Sequence, residues 1–222
     1  MSATGVQPSL GIVIPVGPGD RSWRSLLGVL DQLAPELPRR LVYARGDQQA
    51  RPRQERWTDA GRGRARQQNA GVAGLDCDWV WLLHADSRPV AATLTALRAF
   101  VSEPGARLGY FDLRFYDGPA LMRITEAGVR WRCRWLGVPF GDQGFVLPRQ
   151  TFFELGAFDE QRAYGEDHAL VWQARRMGVP VQRLAAPLYT SARKYREQGW
   201  LRTTWQHQRL TWQQAVREAR LP

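Results

Sequence analysis

Three short stretches of this 222-residue chain carry side chains of the right type and spacing to do chemistry together. His84 and Asp86 close the run Asp78-Trp79-Val80-Trp81-Leu82-Leu83, two metal-ligating side chains at spacing i, i+2. Asp86 offers the hard oxygen that Mg²⁺ or Mn²⁺ prefers. Far along the chain, Gly165-Glu166-Asp167-His168 opens a helical pattern with adjacent carboxylates, one of which could take a proton from a hydroxyl as a general base. Between β-type patterns, Gly61-Arg62-Gly63-Arg64-Ala65-Arg66-Gln67-Gln68-Asn69-Ala70-Gly71 sets a glycine-rich turn and three arginines before a helix. Free backbone N–H groups at such a turn and planar guanidinium groups suit a diphosphate. Each stretch also has a plainer reading. Asp86-Ser87-Arg88-Pro89 is ordinary helix-start chemistry, acids in a first turn are favoured by the helix dipole, and the arginines read equally as a solvated basic face.

Those stretches must be positioned by regular elements. Trp79 to Leu83 is too short for a helix and apolar throughout, the pattern of a strand covered on both faces. Gly11 to Val16 reads as a first strand that ends in Gly17-Pro18-Gly19-Asp20, and Ser22 opens a helix with Leu26, Leu27, Leu30 and Leu33 at helical spacing. Arg40 to Ala44 is a second strand, closing at Arg45-Gly46-Asp47. Residues 48–61 are polar and without period, and read as a loop. Ala91 to Val101 reads as a helix, Leu108 to Phe115 as a strand, and Pro119 to Leu136 as a helix with Trp131 and Trp135 set among Arg130, Arg132 and Arg134. That belt reads as core packing with snorkelling arginines, or as an acceptor- or membrane-facing surface. Gly141-Asp142-Gln143-Gly144 is a tight turn before the strand Phe145 to Leu147, and a helix turn starts at Thr151. Val179 to Leu184 is a last strand, and Thr190 opens a basic tail helix through Trp200, Trp205 and Trp212. The β-α-β alternation predicts an α/β doubly wound sheet, in which ligands bind beyond the carboxyl ends of the strands. The expected division is a lead-in over 1–9, one domain over 10–192 and a basic, tryptophan-containing helical tail over 193–222.

Composition narrows the partners. Net charge is +10, and Lys194 is the only lysine beside thirty arginines. Arginine favours bidentate contacts to phosphate or carboxylate, so the excess points to an anionic partner, or reflects genome base composition. Cys77 and Cys133 give neither a disulfide framework nor a metal spacing. The start of the chain has no basic signal region and no stretch approaches 18 apolar residues, so the expected location is cytoplasmic, with peripheral contact at the inner face of a membrane.

Taken in order, Leu83-His84-Ala85-Asp86-Ser87-Arg88-Pro89, Gly141-Asp142-Gln143-Gly144 and Gly165-Glu166-Asp167-His168-Ala169-Leu170 resemble the family 2 glycosyltransferases of GT-A fold. The segment Gly63 to Gly71 and Thr190-Ser191-Ala192-Arg193 look like the small bacterial subgroup called selenodomain-associated transferase 2. The resemblance spans roughly Gly11 to Trp205. It implies a GT-A type, mostly parallel (mixed) sheet with helices on both faces and a C-terminal helix. It further implies inverting transfer of a sugar from a UDP- or GDP-linked donor to a hydroxyl acceptor, with Mn²⁺ or Mg²⁺ and no nucleic acid. Carried over residue by residue, Asp167 is the base, Asp86 with His84 holds the metal, and Arg62, Arg64, Arg66 and Asn69 lie by the donor diphosphate. Pro15 and Asp47 lie by the nucleotide, Asp142, Gln143 and Glu166 on the acceptor side, and Arg193 and Arg196 contact phosphate. The chain departs from the family where His84 replaces the first metal-motif aspartate, where Gly17-Pro18 replaces an Asn-Glu-like pair, and where Arg45-Gly46-Asp47 ends the second strand. Two other functions fit the same residues: a nucleotidyltransferase on a similar sheet, and a basic module, non-catalytic or degenerate, that binds nucleic acid or an anionic glycan.

Overall fold

The structure, a computed structural model, describes residues 8–52, 55–162 and 164–219. Its strands are β1 (Leu10–Val16), β2 (Arg39–Ala44), β3 (Arg56–Ala60), β4 (Trp79–Leu82), β5 (Leu108–Phe115), β6 (Val146–Pro148) and β7 (Val181–Thr190). The helices are α1 (Trp23–Leu33), α2 (Arg64–Ala73), α3 (Ala91–Ser102), α4 (Met122–Leu136), α5 (Arg149–Glu154), α6 (Glu166–Arg176), α7 (Arg193–Gln198) and α8 (Trp200–Ala219).

All strands join one seven-stranded sheet in the order β3-β2-β1-β4-β6-β5-β7. β6 alone runs against its neighbours, pairing antiparallel with β4 and β5, while the other pairings are parallel. The period of two along each strand sorts its side chains to the two faces. Ile12, Ile14, Trp81 and Leu83 point to one face, where Leu26 and Leu30 of α1 and Leu94 and Leu97 of α3 cover them. Val13, Val42, Val80 and Leu82 point to the other, covered by Val72 of α2, Phe152 of α5 and Leu170 and Val171 of α6. The sheet is therefore buried on both sides, as the unbroken apolar runs of β1 and β4 require.

Four sequence expectations need correction. The stretch 48–61 is not all loop: Arg56–Ala60 pairs in parallel with β2 as the sheet's edge. Largely exposed and polar, an edge strand shows no buried period to read. The last strand runs on to Thr190, because a register shift opposite Phe111/Asp112 lets Pro187 sit in it without a ladder bond. Consequently the tail helix does not start at Thr190; it begins at Arg193 and breaks at Gly199, whose φ of +82° suits glycine. Finally, Trp131 and Trp135 are not core residues, being 59% and 67% exposed. Residues 1–7 of the expected lead-in and 220–222 of the tail lie outside the described residues.

Candidate active site

The carboxyl ends of the parallel strands face one edge of the sheet, and the sequence sends its reactive residues there. The chain leaves β4 through a turn in which the Ser87 N–H donates to the His84 carbonyl at 3.0 Å, placing His84 and Asp86 just beyond the strand. Because β6 is reversed, its lead-in Gly141–Gln143 returns to that same edge as a short 3₁₀ turn. α2 is pinned there by the buried Gln67 amide, which donates to the carbonyls of Val16 (2.8 Å) and Val42 (2.7 Å). Gly71 lets the helix approach closely: a Cβ there would lie 2.3 Å from Val13 Cγ1.

At the centre, Arg64 joins three groups. Its Nε donates to Glu166 Oε1 at 2.5 Å, its Nη1 lies 3.2 Å from His84 Nε2, and its Nη2 lies 3.9 Å from Asp167 Oδ2. A guanidinium cannot accept, so His84 Nε2 does, and the ring is neutral with its proton on Nδ1. Burial, together with the adjacent Arg64 charge, pushes the His84 pKa down to about 3. Asp167 accepts from the Gly141 N–H at 2.7 Å and the His168 N–H at 2.8 Å. Burial would raise its pKa, but Arg64 and those two amides outweigh burial and hold it below the usual aspartate value. Asp167 is a fixed, ionised carboxylate.

Asp86 and Asp142 are in the opposite condition. Burial raises the Asp86 pKa, and nearby Asp20 adds to the rise against Arg193 and a hydrogen bond from Thr190. Burial pushes Asp142 up to about 6 despite Arg132, with Asp167 and Asp86 adding repulsion. Its Oδ1 is buried and finds no hydrogen-bond partner among the described residues. These two carboxylates are short of positive charge.

A divalent cation fits this donor set only in part. Among the described residues, no three His, Cys, Asp or Glu side chains cluster in a way that could hold a metal, and the His84 Nε2 lone pair already faces Arg64. The structure thus turns His84 away from metal ligation. Asp86 remains, a charge-starved carboxylate of the kind that binds a cation whose other ligands are substrate phosphates and water.

The other expected site residues divide. Arg62 is exposed on the turn before α2. Arg66 faces Glu160 at 3.5 Å, outside the Arg64 cluster. Asn69 is taken up structurally: its amide bonds the Phe158 backbone in both directions and Glu160 Oε1 at 3.0 Å. Gln143 is 2% exposed and bonded to the Phe111 carbonyl and the Phe140 N–H, so it braces the turn and presents nothing to an acceptor. Glu166 is equally buried and serves Arg64. Pro15 is enclosed in β1 opposite Val42. Asp47 closes the second strand and bonds Gln49, which reaches the Gly17 carbonyl at 3.1 Å. Arg196 pairs with Asp117 at 2.9 Å, and Arg193 is exposed within electrostatic reach of Asp86.

Several neighbours of these residues were given no site role in the sequence. Arg132 and Tyr195 flank Asp142, and Thr190 holds Asp86. Beyond Asp47, Arg51 stacks 3.8 Å over the Tyr43 ring and 5.6 Å from that of Trp57, a flat cationic and aromatic rim. A groove of about 600 Å³ opens between the end of β5 and α4, with Tyr116, Asp117, Arg123, Arg130 and Tyr189 on its walls.

The sequence matches no protein-family model and no curated protein. Solved structures do match its shape. The S. aureus protein TarS (residues 1–349), in complex with UDP-GlcNAc, superposes with a TM-score of 0.61 at 13% identity over 82% of this chain and 58% of that one. The mannosyltransferase PcManGT from Pyrobaculum calidifontis, in complex with GDP-Man and Mn²⁺, superposes with a TM-score of 0.60 at 15% identity over 84% of this chain and 58% of that one. The fold is of the GT-A type. The chain spans about three fifths of the length of these neighbours.

Proposed function

We propose that this chain is an inverting glycosyltransferase that moves a sugar from a nucleotide-diphosphate donor to a hydroxyl acceptor. The observation that carries the reading is Asp167, an ionised carboxylate fixed by two amides beside Arg64 at the ligand-binding edge of the sheet. It is supported by the fold shared with proteins whose structures hold UDP-GlcNAc or GDP-Man with Mn²⁺. Its sequence counterpart is the resemblance to family 2 and its selenodomain-associated subgroup.

In this reading the acceptor oxygen attacks the anomeric carbon as the bond to the diphosphate breaks, and the leaving oxygen takes the electron pair. Configuration inverts because the displacement is direct. The hydroxyl proton passes to Asp167 as the new bond forms and makes it acidic, so a carboxylate of low pKa is base enough. Arg64, with Nη2 free to turn from Asp167, and the first N–H groups of α2 stabilise charge growing on the diphosphate. A divalent cation, held by Asp86, would supply further charge neutralisation to that group. The unpartnered Asp142 Oδ1 receives a second acceptor hydroxyl. The Asp47 loop and the Arg51–Trp57 rim hold the nucleotide base.

The test is incubation with a panel of UDP- and GDP-sugars and Mn²⁺, with product analysis. Release of nucleoside diphosphate and an inverted glycoside, abolished in Asp167→Asn, is expected. Pyrophosphate release instead would make the chain a nucleotidyltransferase. Salt-sensitive RNA binding with no response to any nucleotide sugar would make it a basic binding module.

A further inference from the structure

We propose that the outer faces of α4 and α8 form a docking surface for an anionic lipid bilayer. Two helices of this protein expose apolar side chains where solvated helices carry polar ones. On α4, Ile124, Trp131 and Trp135 are 57%, 59% and 67% exposed, and Gly128 completes their i, i+4, i+7, i+11 row. On α8, Leu201, Trp205 and Trp212 are 76%, 66% and 73% exposed at the matching positions of a row of the same spacing. Residues so spaced lie on one side of a helix. The two rows start beside each other: Trp200 Nε1 donates to Thr125 Oγ1 at 2.9 Å, and Leu201 and Ile124 are the chain neighbours of that bonded pair.

Each apolar row has a basic one next to it. Arg123, Arg130 and Arg134 follow the α4 row one residue behind, and Arg202 and Arg209 follow the α8 row one residue ahead. Arg134 lies 5.6 Å from the Trp135 ring and Arg209 5.7 Å from that of Trp205. Within the two rows, no exposed acidic side chain among the described residues offsets them. Glu126, the one acid of α4, is buried and paired with Arg114, and α8 has none from Trp200 to Trp212. Exposed tryptophan flanked by arginine is the composition of a helix lying in a membrane interface, with the indoles at headgroup level and the guanidinium groups on lipid phosphates. The same uncompensated charge opposes pairing of this face with a second copy of itself. No helix among the described residues is long and apolar enough to cross a membrane, so the contact is peripheral. This inference does not depend on the proposed reaction.

The experiment is co-sedimentation of the full chain with phosphatidylcholine vesicles, with and without phosphatidylglycerol. Tryptophan quenching by bromine-labelled lipid and the oligomeric state are read alongside. Binding is expected only with phosphatidylglycerol, weakened by salt and accompanied by quenching. Trp131→Ala/Trp135→Ala and Trp205→Ala/Trp212→Ala should each weaken binding by roughly tenfold or more with an unchanged circular dichroism spectrum. Absence of binding to anionic vesicles at low salt would overturn the proposal. So would tryptophan variants that bind as well as the parent, since charge alone would then suffice. A dimer abolished by the same substitutions, or RNA binding that excludes vesicles, would reassign the face.

Discussion

Arg64 donates from Nε to Glu166, 102 residues away in the chain, and so locks the first turn of α2 to the first turn of α6. Asp167 is the next residue along α6, so its carboxylate is placed chiefly by the ion pair of its neighbour, with Arg64 Nη2 3.9 Å away. Removing Arg64 leaves a buried carboxylate without its partner. Glu166 is 5% exposed and Arg64 40%, so solvent softens the penalty. Arg64→Ala should cost about 1–3 kcal/mol in urea denaturation. Arg64→Lys should recover part of that stability but not the activity, because an ammonium cannot hold Glu166 and a phosphate in one planar fork.

Asp167→Asn keeps the shape but can accept only one of the two N–H groups, since Gly141 and His168 donate to different oxygens, and it cannot take a proton. Turnover should fall by about 10²–10⁴, with nucleotide affinity nearly unchanged by calorimetry. Equal turnover in the variant would refute the assignment.

Asp86→Ala should abolish the dependence of nucleotide-diphosphate binding on Mn²⁺. Titrating UDP and GDP into both proteins, with the metal and with a chelator, separates this from a general loss of affinity. Mn²⁺ enhancement that survives the substitution would move the cation elsewhere.

Asp142 predicts the sign of a pH effect. Its folded pKa is raised from 3.8 to about 6, so the folded chain binds the proton more tightly than the unfolded one. Its contribution is fully favourable below pH 3.8 and is lost as pH rises to about 6, a cost at neutrality on the order of 2–3 kcal/mol. Asp142→Asn should therefore be more stable than the parent at pH 7 and match it near pH 3.5. Denaturation curves across that range measure the difference.

Gly71→Ala places a methyl 2.3 Å from Val13 Cγ1 and 3.0 Å from Val42 Cγ2, both in the buried sheet. The helix must lift from the strands, and overpacking of this kind costs about 1–3 kcal/mol. Thermal unfolding tests it.

Much of this architecture was legible in the sequence because burial imposes a period. β1, β4, β5, α1 and α3 all fell within a residue or two of their expected positions, each having a covered face. The failures lie where that constraint is missing. β3 is an edge strand with little buried, and β7 carries a proline that a bulge accommodates. Within the site, residue type located Arg64, Asp86, Asp142 and Asp167 at one edge of the sheet but could not assign roles. Arg64 and Arg66 are the same residue two positions apart on one helix, and only the first turns inward. Asn69 and Gln143 look like ligand-binding amides in the sequence, yet their hydrogen bonds are spent within the protein, mostly on backbone groups. The exposure of Trp131 and Trp135 was equally hidden, since tryptophans at helical spacing more often face a core.

Gly165, with φ +79°, faces α8: a Cβ there would fall 2.3 Å from Gln214 Nε2, the far end of a side chain that would have to swing aside. α8 thus meets the residue that precedes Glu166 and Asp167. A fused partner or a surface that holds α8 would therefore bear on the start of α6, one residue before Glu166.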